Sequence, residues 1–210
     1  MTDAVAAPVT LKRALPPEEA ARGDFYALFA RLLHNGPDMP LLGAIAAAAP
    51  IPPEGNAALA AAWRGLVDAS SVMDADAGLE EYEALFAGVG KAAVSLYSGY
   101  YTGAPSIDHP RVRIQADLAA LGLGRRETAS EPEDHFAGLF DAMRVLVAGS
   151  AARAPADVAA QRRFFQDHVE PGVGKFFAAL AAASEANYYR RVAALGAAFF
   201  ALESESFQLD

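Results

Sequence analysis

The chain of 210 residues contains no cysteine, which excludes disulfides, thiolate metal ligands and cysteine nucleophiles and is consistent with a reducing compartment. It also lacks a long apolar run, since residues 41–49 are mostly alanine and fall far short of the roughly 20 residues that cross a bilayer. Residues 1–16 lack the basic start, apolar core and cleavage site of an export signal, and we predict a flexible tail there. We therefore expect a cytoplasmic protein without stable membrane insertion.

Basic residues are fewer than acidic ones: 17 Lys and Arg against 26 Asp and Glu give a net charge of -9. This charge would repel nucleic acid, which we exclude as a partner, and would attract a cationic one. Phosphate-binding glycine motifs are absent, and the four histidines form no His-x-x-x-His or Glu-x-x-His pair. The sequence therefore indicates neither an enzyme nor a metal site.

Alternation of β-branched residues is scarce, whereas alanine, leucine, glutamate and arginine fill long stretches. We therefore predict an all-α fold, a single helical domain of two lobes, 17–121 and 131–210, joined by a glycine-containing hinge at 122–130. A cluster of proline and glycine at 171–174 is expected to interrupt the helical pattern of the second lobe. The predicted helices cover 17–33, 40–49, 56–72, 74–88, 109–121, 131–148, 156–168, 175–183 and 187–202.

The segment from Ser130 to His135 combines three carboxylates with an imidazole. Ser130 followed by Glu133 has the spacing of a capping box, which predicts a helix from Glu131 with Glu131, Asp134 and His135 on one side of its first turn. The positive end of the helix dipole disfavours a charged imidazole, so we expect His135 to be neutral unless a carboxylate holds its proton. From local physics alone, two interpretations stay open: a well-capped helix start, or a recognition patch beside a hinge.

Residues 88–105 form the only long stretch without helical periodicity. They contain three tyrosines flanked by glycines, at Tyr97, Tyr100 and Tyr101. Such a cluster is typical of either an aromatic surface or a packed crossover between helices.

Four segments in this order resemble the TorD/DmsD family of redox-enzyme maturation chaperones. They are Glu81-Tyr82-Glu83-Ala84-Leu85-Phe86, Tyr97-Ser98-Gly99-Tyr100-Tyr101, Glu131-Pro132-Glu133-Asp134-His135 and Phe164-Phe165-Gln166-Asp167-His168-Val169-Glu170-Pro171. The likeness extends from about Phe25 to the end of the chain. One departure is Gly172, where the family commonly has tryptophan.

The resemblance implies a cytoplasmic chaperone that binds the twin-arginine signal peptide and the catalytic subunit of a molybdoenzyme and delays export until the cofactor is inserted. By analogy, Asp134 and Glu131 would attract the arginines, while Tyr97 and Tyr101 would lie at the edge of a groove for the apolar part of the peptide. The full set of predicted peptide-binding residues is Tyr97, Ser98, Tyr101, Glu131, Pro132, Asp134 and His135.

Two other functions stay open. The chain is alternatively a helical scaffold for a redox enzyme that is not exported, or a guanine-nucleotide-binding switch. We expect no cofactor, although the resemblance allows weak GTP binding, and the absence of a phosphate loop argues against hydrolysis. The expected state is a monomer or a dimer formed by domain exchange at the hinge.

Overall fold

The computed structural model describes residues 15–87, 92–103, 110–124 and 131–209, and within these ranges the chain forms helices and no strand. The prediction of an all-α fold is confirmed. The chain also contains a π-helical turn, Phe165–Val169, and no helix in these ranges has the length and apolar composition to span a membrane. The helices are α1 Pro17–Asn35, α2 Met39–Ala46, α3 Ala57–Ser70, α4 Ala75–Phe86, α5 Gly99–Thr102, α6 Pro110–Ala120, α7 Phe136–Ala148, α8 Val158–Phe164, α9 Glu170–Ala182 and α10 Tyr188–Leu209.

The core is a cluster of aromatic rings in which four helices meet. Phe29 of α1 lies with its ring centroid 6.1 Å from that of Phe140 on α7, and 5.5 Å from those of Phe177 on α9 and Phe200 on α10. These side chains are almost fully buried. Both predicted lobes contribute to this cluster. Their division stays a prediction, since most of the predicted tail and hinge residues 125–130 lie outside the described residues.

The close contact between α9 and α10 depends on a glycine. A Cβ atom on Gly196 would lie only 2.3 Å from the ring of Phe177, a distance that excludes any side chain. The backbone of α10 therefore packs directly on that ring, which is the kind of close approach that glycine permits.

The ends of two helices are closed by side chains of α4. Tyr82 donates its hydroxyl hydrogen to the carbonyl oxygen of His34, at the last turn of α1, over 2.8 Å. Glu81 accepts bonds of 2.8 to 3.0 Å from the first backbone N–H groups of α10, which helices otherwise leave without partners, and the donors are Asn187, Tyr188 and Tyr189. One of the segments that carry the family resemblance thus caps two helices that are remote in sequence.

The helix predicted from Glu131 begins instead at Phe136, so that prediction is wrong. His135 is the N-cap residue, because its Nδ1 accepts the backbone N–H of Ala137 over 3.1 Å. The backbone at His135 is extended and pairs with residue 97, which prevents a helix there. Ser130, and with it the predicted capping box, lies outside the described residues.

The predicted interruption at 171–174 is also wrong. Pro171 is the second residue of α9 and follows the π-helical turn Phe165–Val169 without a break in the helix. The π-helical turn before it adjusts the path of the chain, and the helix continues through both glycines.

A buried ion pair joins the first and last helices. Glu203 is 2% exposed and accepts hydrogen bonds from Arg22, at 2.7 and 3.0 Å, and from the hydroxyl of Tyr26, at 2.7 Å. Burial, reinforced by the charge of Glu203, holds the pKa of Tyr26 well above its usual value. Because the carboxylate is removed from water, it depends on these partners.

We expect Arg22→Met to lower the free energy of unfolding by about 3–5 kcal/mol, because it leaves a buried carboxylate without its cation. Urea unfolding measures this loss. The matched control is Arg31→Met, which removes an exposed pair with Asp38 and should leave the free energy of unfolding almost unchanged. The double variant Arg22→Met/Glu203→Met should recover only part of the loss, because it leaves the buried hydroxyl of Tyr26 without its acceptor. Equal effects of the two single variants would contradict the assignment.

Candidate functional site

The loop before α5 is paired with the segment before α7. The backbone N–H of Ser98 donates to the carbonyl of Asp134 over 2.8 Å, and that of Phe136 donates to the carbonyl of Leu96 over 2.9 Å. The ring of Tyr97 lies edge-on to the imidazole of His135, with 5.4 Å between ring centroids. Two segments predicted from the sequence to act together are thus in contact.

We call the pairing of the segment before α5 with the segment before α7 the joint. A groove of about 840 Å³ lies between α1 and α7, beside the joint. Part of its lining is small and apolar, and includes Ala27, Ala30, Ala137, Gly138 and Ala142. Its polar lining includes the charged or titratable residues Arg31, His34, Glu131, Glu133, His135, Asp141 and Arg144. Two of these form an ion pair within α7, with 2.7 Å between Nε of Arg144 and Oδ1 of Asp141.

Three of the predicted site residues, Glu131, Pro132 and His135, line the groove. Asp134 does not, because its carboxylate is turned away and accepts a hydrogen bond of 2.8 Å from Nε of Arg111 on α6. The prediction that Glu131, Asp134 and His135 share one side of a helical turn is therefore wrong, since residues 131–135 are not helical.

The remaining predicted residues, Tyr97, Ser98 and Tyr101, do not line the groove. Ser98 and Tyr101 are buried, and the hydroxyl of Tyr101 donates to the carbonyl of Ser95 over 2.9 Å. Tyr97 and Tyr100 are exposed, with Tyr100 at 65%. The tyrosine cluster therefore combines both interpretations of the sequence, a packed crossover and an aromatic surface.

This chain has glycine at position 172, where the family commonly has tryptophan, and the structure shows the reason. A Cβ atom there would lie 3.3 Å from the carbonyl oxygen of Ser98 and 3.5 Å from atoms of Phe136 and Tyr101. Lys175, one turn later, donates to the carbonyl of Tyr101 over 2.9 Å and holds the loop on α9. The loop backbone fills the space that a large side chain at 172 would need.

His135 is uncharged at neutral pH. Burial lowers its pKa to about 4, against the opposing effect of the carboxylate of Glu131. Its capping bond requires an Nδ1 without a proton, which agrees with the neutral imidazole predicted from the sequence. At the opposite side of the groove, Nδ1 of His34 lies 3.8 Å from Oε1 of Glu131.

Sequence reasoning missed three residues of this region, Gly138, Asp141 and Arg111. Gly138 and Asp141 are three positions apart on α7 and line the groove together. Their helical spacing could have indicated a common face, but no sequence motif marks them. Among the described residues, no group of three or more His, Asp or Glu side chains is arranged to hold a metal ion.

Comparison with known proteins bears on both sequence and fold. The sequence model of the nitrate reductase delta subunit family matches residues 53–178, more than half of the chain. A crystal structure of an Archaeoglobus fulgidus protein assigned to redox enzyme maturation superposes with a TM-score of 0.56. The match covers 92% of this chain and 99% of that one at 18% identity, which shows a shared fold. No curated protein matches.

The low pKa of His135 makes stability depend on pH. The unfolded state takes up a proton near its ordinary pKa of about 6.5, whereas the folded state resists protonation until about pH 4. Stability contributed by the neutral imidazole is therefore lost as pH falls through this window, by up to about 2 kcal/mol at pH 5.

Urea unfolding at about pH 7.5 and about pH 5 should show this loss in the wild type and a smaller one in His135→Asn. Asparagine does not titrate, and its side chain can still accept the capping bond of Ala137. Identical pH dependence in the two proteins would show that His135 does not contribute.

Proposed function

Since the chain belongs to the nitrate reductase delta subunit family, we propose that it binds the twin-arginine signal peptide of a molybdoenzyme in the groove between α1 and α7. The family comprises redox-enzyme maturation chaperones and not catalytic enzymes, and the predicted relation to TorD/DmsD chaperones is confirmed. A chaperone role towards molybdoenzymes follows from the family. Binding of the signal peptide, and its location, are the proposal.

The groove is the observation that carries this proposal. Its volume of about 840 Å³ is in the range of ligand-binding clefts in proteins. The alanines and Gly138 in its lining leave room for the side chains of a bound segment. An apolar peptide laid along two helices is a common mode of recognition.

Charge supports the same ligand. A twin-arginine signal peptide begins with basic residues and continues into an apolar segment that must be shielded from water. The groove lining carries three carboxylates, on Glu131, Glu133 and Asp141, against two guanidinium groups, on Arg31 and Arg144, and this acidic balance suits the basic part of the peptide. The net charge of -9 also favours the approach of a cationic peptide.

In the cell, such binding would cover the signal peptide while the catalytic subunit waits for its cofactor. The chaperone would act in the cytoplasm, where the subunit is made, and would release the peptide after maturation. The chain itself needs no catalytic group for this role.

Gly138→Phe should abolish or strongly weaken binding of a twin-arginine peptide, because the new ring fills the groove. A Cβ atom at Gly138 meets no atom within 4 Å, so the helix tolerates the substitution. Gly174→Phe is the matched control, since Gly174 is equally unobstructed on α9 but does not line the groove. Calorimetric titration of both folded variants with the peptide measures the two affinities. Equal affinities of Gly138→Phe and wild type would overturn the location.

A second candidate is a chaperone that binds the body of a redox enzyme which is not exported. The description of the family as a subunit of nitrate reductase favours it, because a subunit contacts the enzyme itself. Co-purification of the chain with its client, with and without the client's leader sequence, separates the two. We expect loss of the leader to reduce recovery at least several-fold. Unchanged recovery would favour the second candidate.

A further inference from the structure

Arg111 contacts two groups that both attract a planar cation. Its Nε donates to Oδ1 of Asp134 over 2.8 Å, and its guanidinium carbon lies 6.0 Å from the ring centroid of Tyr97. Carboxylates and aromatic faces are the protein groups that guanidinium binds best. We call the carboxylate of Asp134 and the ring of Tyr97 the guanidinium site.

The two groups of the guanidinium site lie on the segments before α5 and before α7, and not on the helix that carries Arg111. The carbonyl of Asp134 accepts the N–H of Ser98, and a Cβ atom on Gly99 would lie 3.1 Å from Oδ2 of Asp134. Tyr97 is fixed by its bridge to His135. With Arg111 in place, Asp134 is 5% exposed, so its carboxylate is largely removed from water.

The present occupant of this site is loosely attached. Arg111 lies in the first turn of α6, and its side chain is 52% exposed. In α6, Ile114 is buried and Leu118 is partly buried against the core, and Asp117 pairs with His168 over 2.8 Å. The Arg111 side chain is not part of this apolar contact, so it can leave the site without loss of apolar burial.

We infer that Arg111 is an internal competitor, which in the free protein occupies the site that an arginine of the client peptide takes when it binds. This inference rests on the proposed function. A client arginine makes the same two contacts, so one guanidinium replaces another with no change in the buried charge. The exchange frees the start of α6 from the joint between α5 and α7.

Competition lowers the apparent affinity by the fraction of molecules in which the site is free. Arg111→Ala should therefore bind a twin-arginine peptide more tightly than wild type, on the order of tenfold for a site free in about a tenth of the molecules. Arg113→Ala is the matched control, since it removes the same charge from an exposed position of the same helix. Its affinity should equal that of wild type or fall slightly below it.

The gain should depend on Asp134. In an Asp134→Asn background, Arg111→Ala should leave peptide affinity unchanged, because the carboxylate for which Arg111 and the peptide compete is then absent. Calorimetric titration of the four proteins in this cycle measures both effects. Equal or weaker binding by folded Arg111→Ala, compared with wild type, overturns the inference while leaving the proposed function in place.

A second measurement needs no peptide and separates the two proposals. Methylguanidinium should raise the melting temperature of Arg111→Ala relative to methylammonium at the same concentration, whereas wild type and Arg113→Ala should show no such difference. If no form of the protein binds the peptide but this rescue occurs, the proposed function fails and the guanidinium site stands. Equal effects of the two cations on Arg111→Ala overturn the site.

Discussion

The packing of α1 on α7 through a single layer of aromatic rings fixes the position of the groove. Phe29 and Phe140 face inward and stack with the rings of α9 and α10, where Gly196 allows the closest contact. Their neighbours Ala27, Gly138 and Asp141 face the other way and line the groove. Because interiors are packed at high density, a shift of one ring would move both helices and change the width of the groove.

Contacts between residues remote in sequence determine where the helices begin and end. Glu81 caps the start of α10 and Tyr82 caps the end of α1, so α4 contacts both the first helix and the last. The buried pair of Arg22 and Glu203 joins the same two helices at another point. These polar contacts place the amphipathic helices, whose stability comes mainly from burial of their apolar faces.

The sequence predicted the helical class and most elements, because helix periodicity and the Gly and Pro residues that mark helix ends are local signals. It failed at Glu131, where a local capping signal lost to backbone pairing with the loop around Tyr97. It failed again at Pro171, where a π-helical turn accommodates the proline. For the site, the resemblance named residues that do meet around His135, but local reasoning could not assign their directions. Those directions depend on tertiary contacts, as the pairing of Asp134 with Arg111 does.

The non-helical conformation of residues 131–135 is what gives this segment two functional sides. A helix would have placed Asp134 beside Glu131, whereas the observed backbone turns Glu131, Glu133 and His135 to the groove and Asp134 to Arg111. The bond from Ser98 to the carbonyl of Asp134 holds the segment while its side chains exchange partners. Preorganisation of this kind reduces the entropy lost on binding. In the proposed complex, a peptide with two neighbouring arginines would meet carboxylates on both sides of this segment.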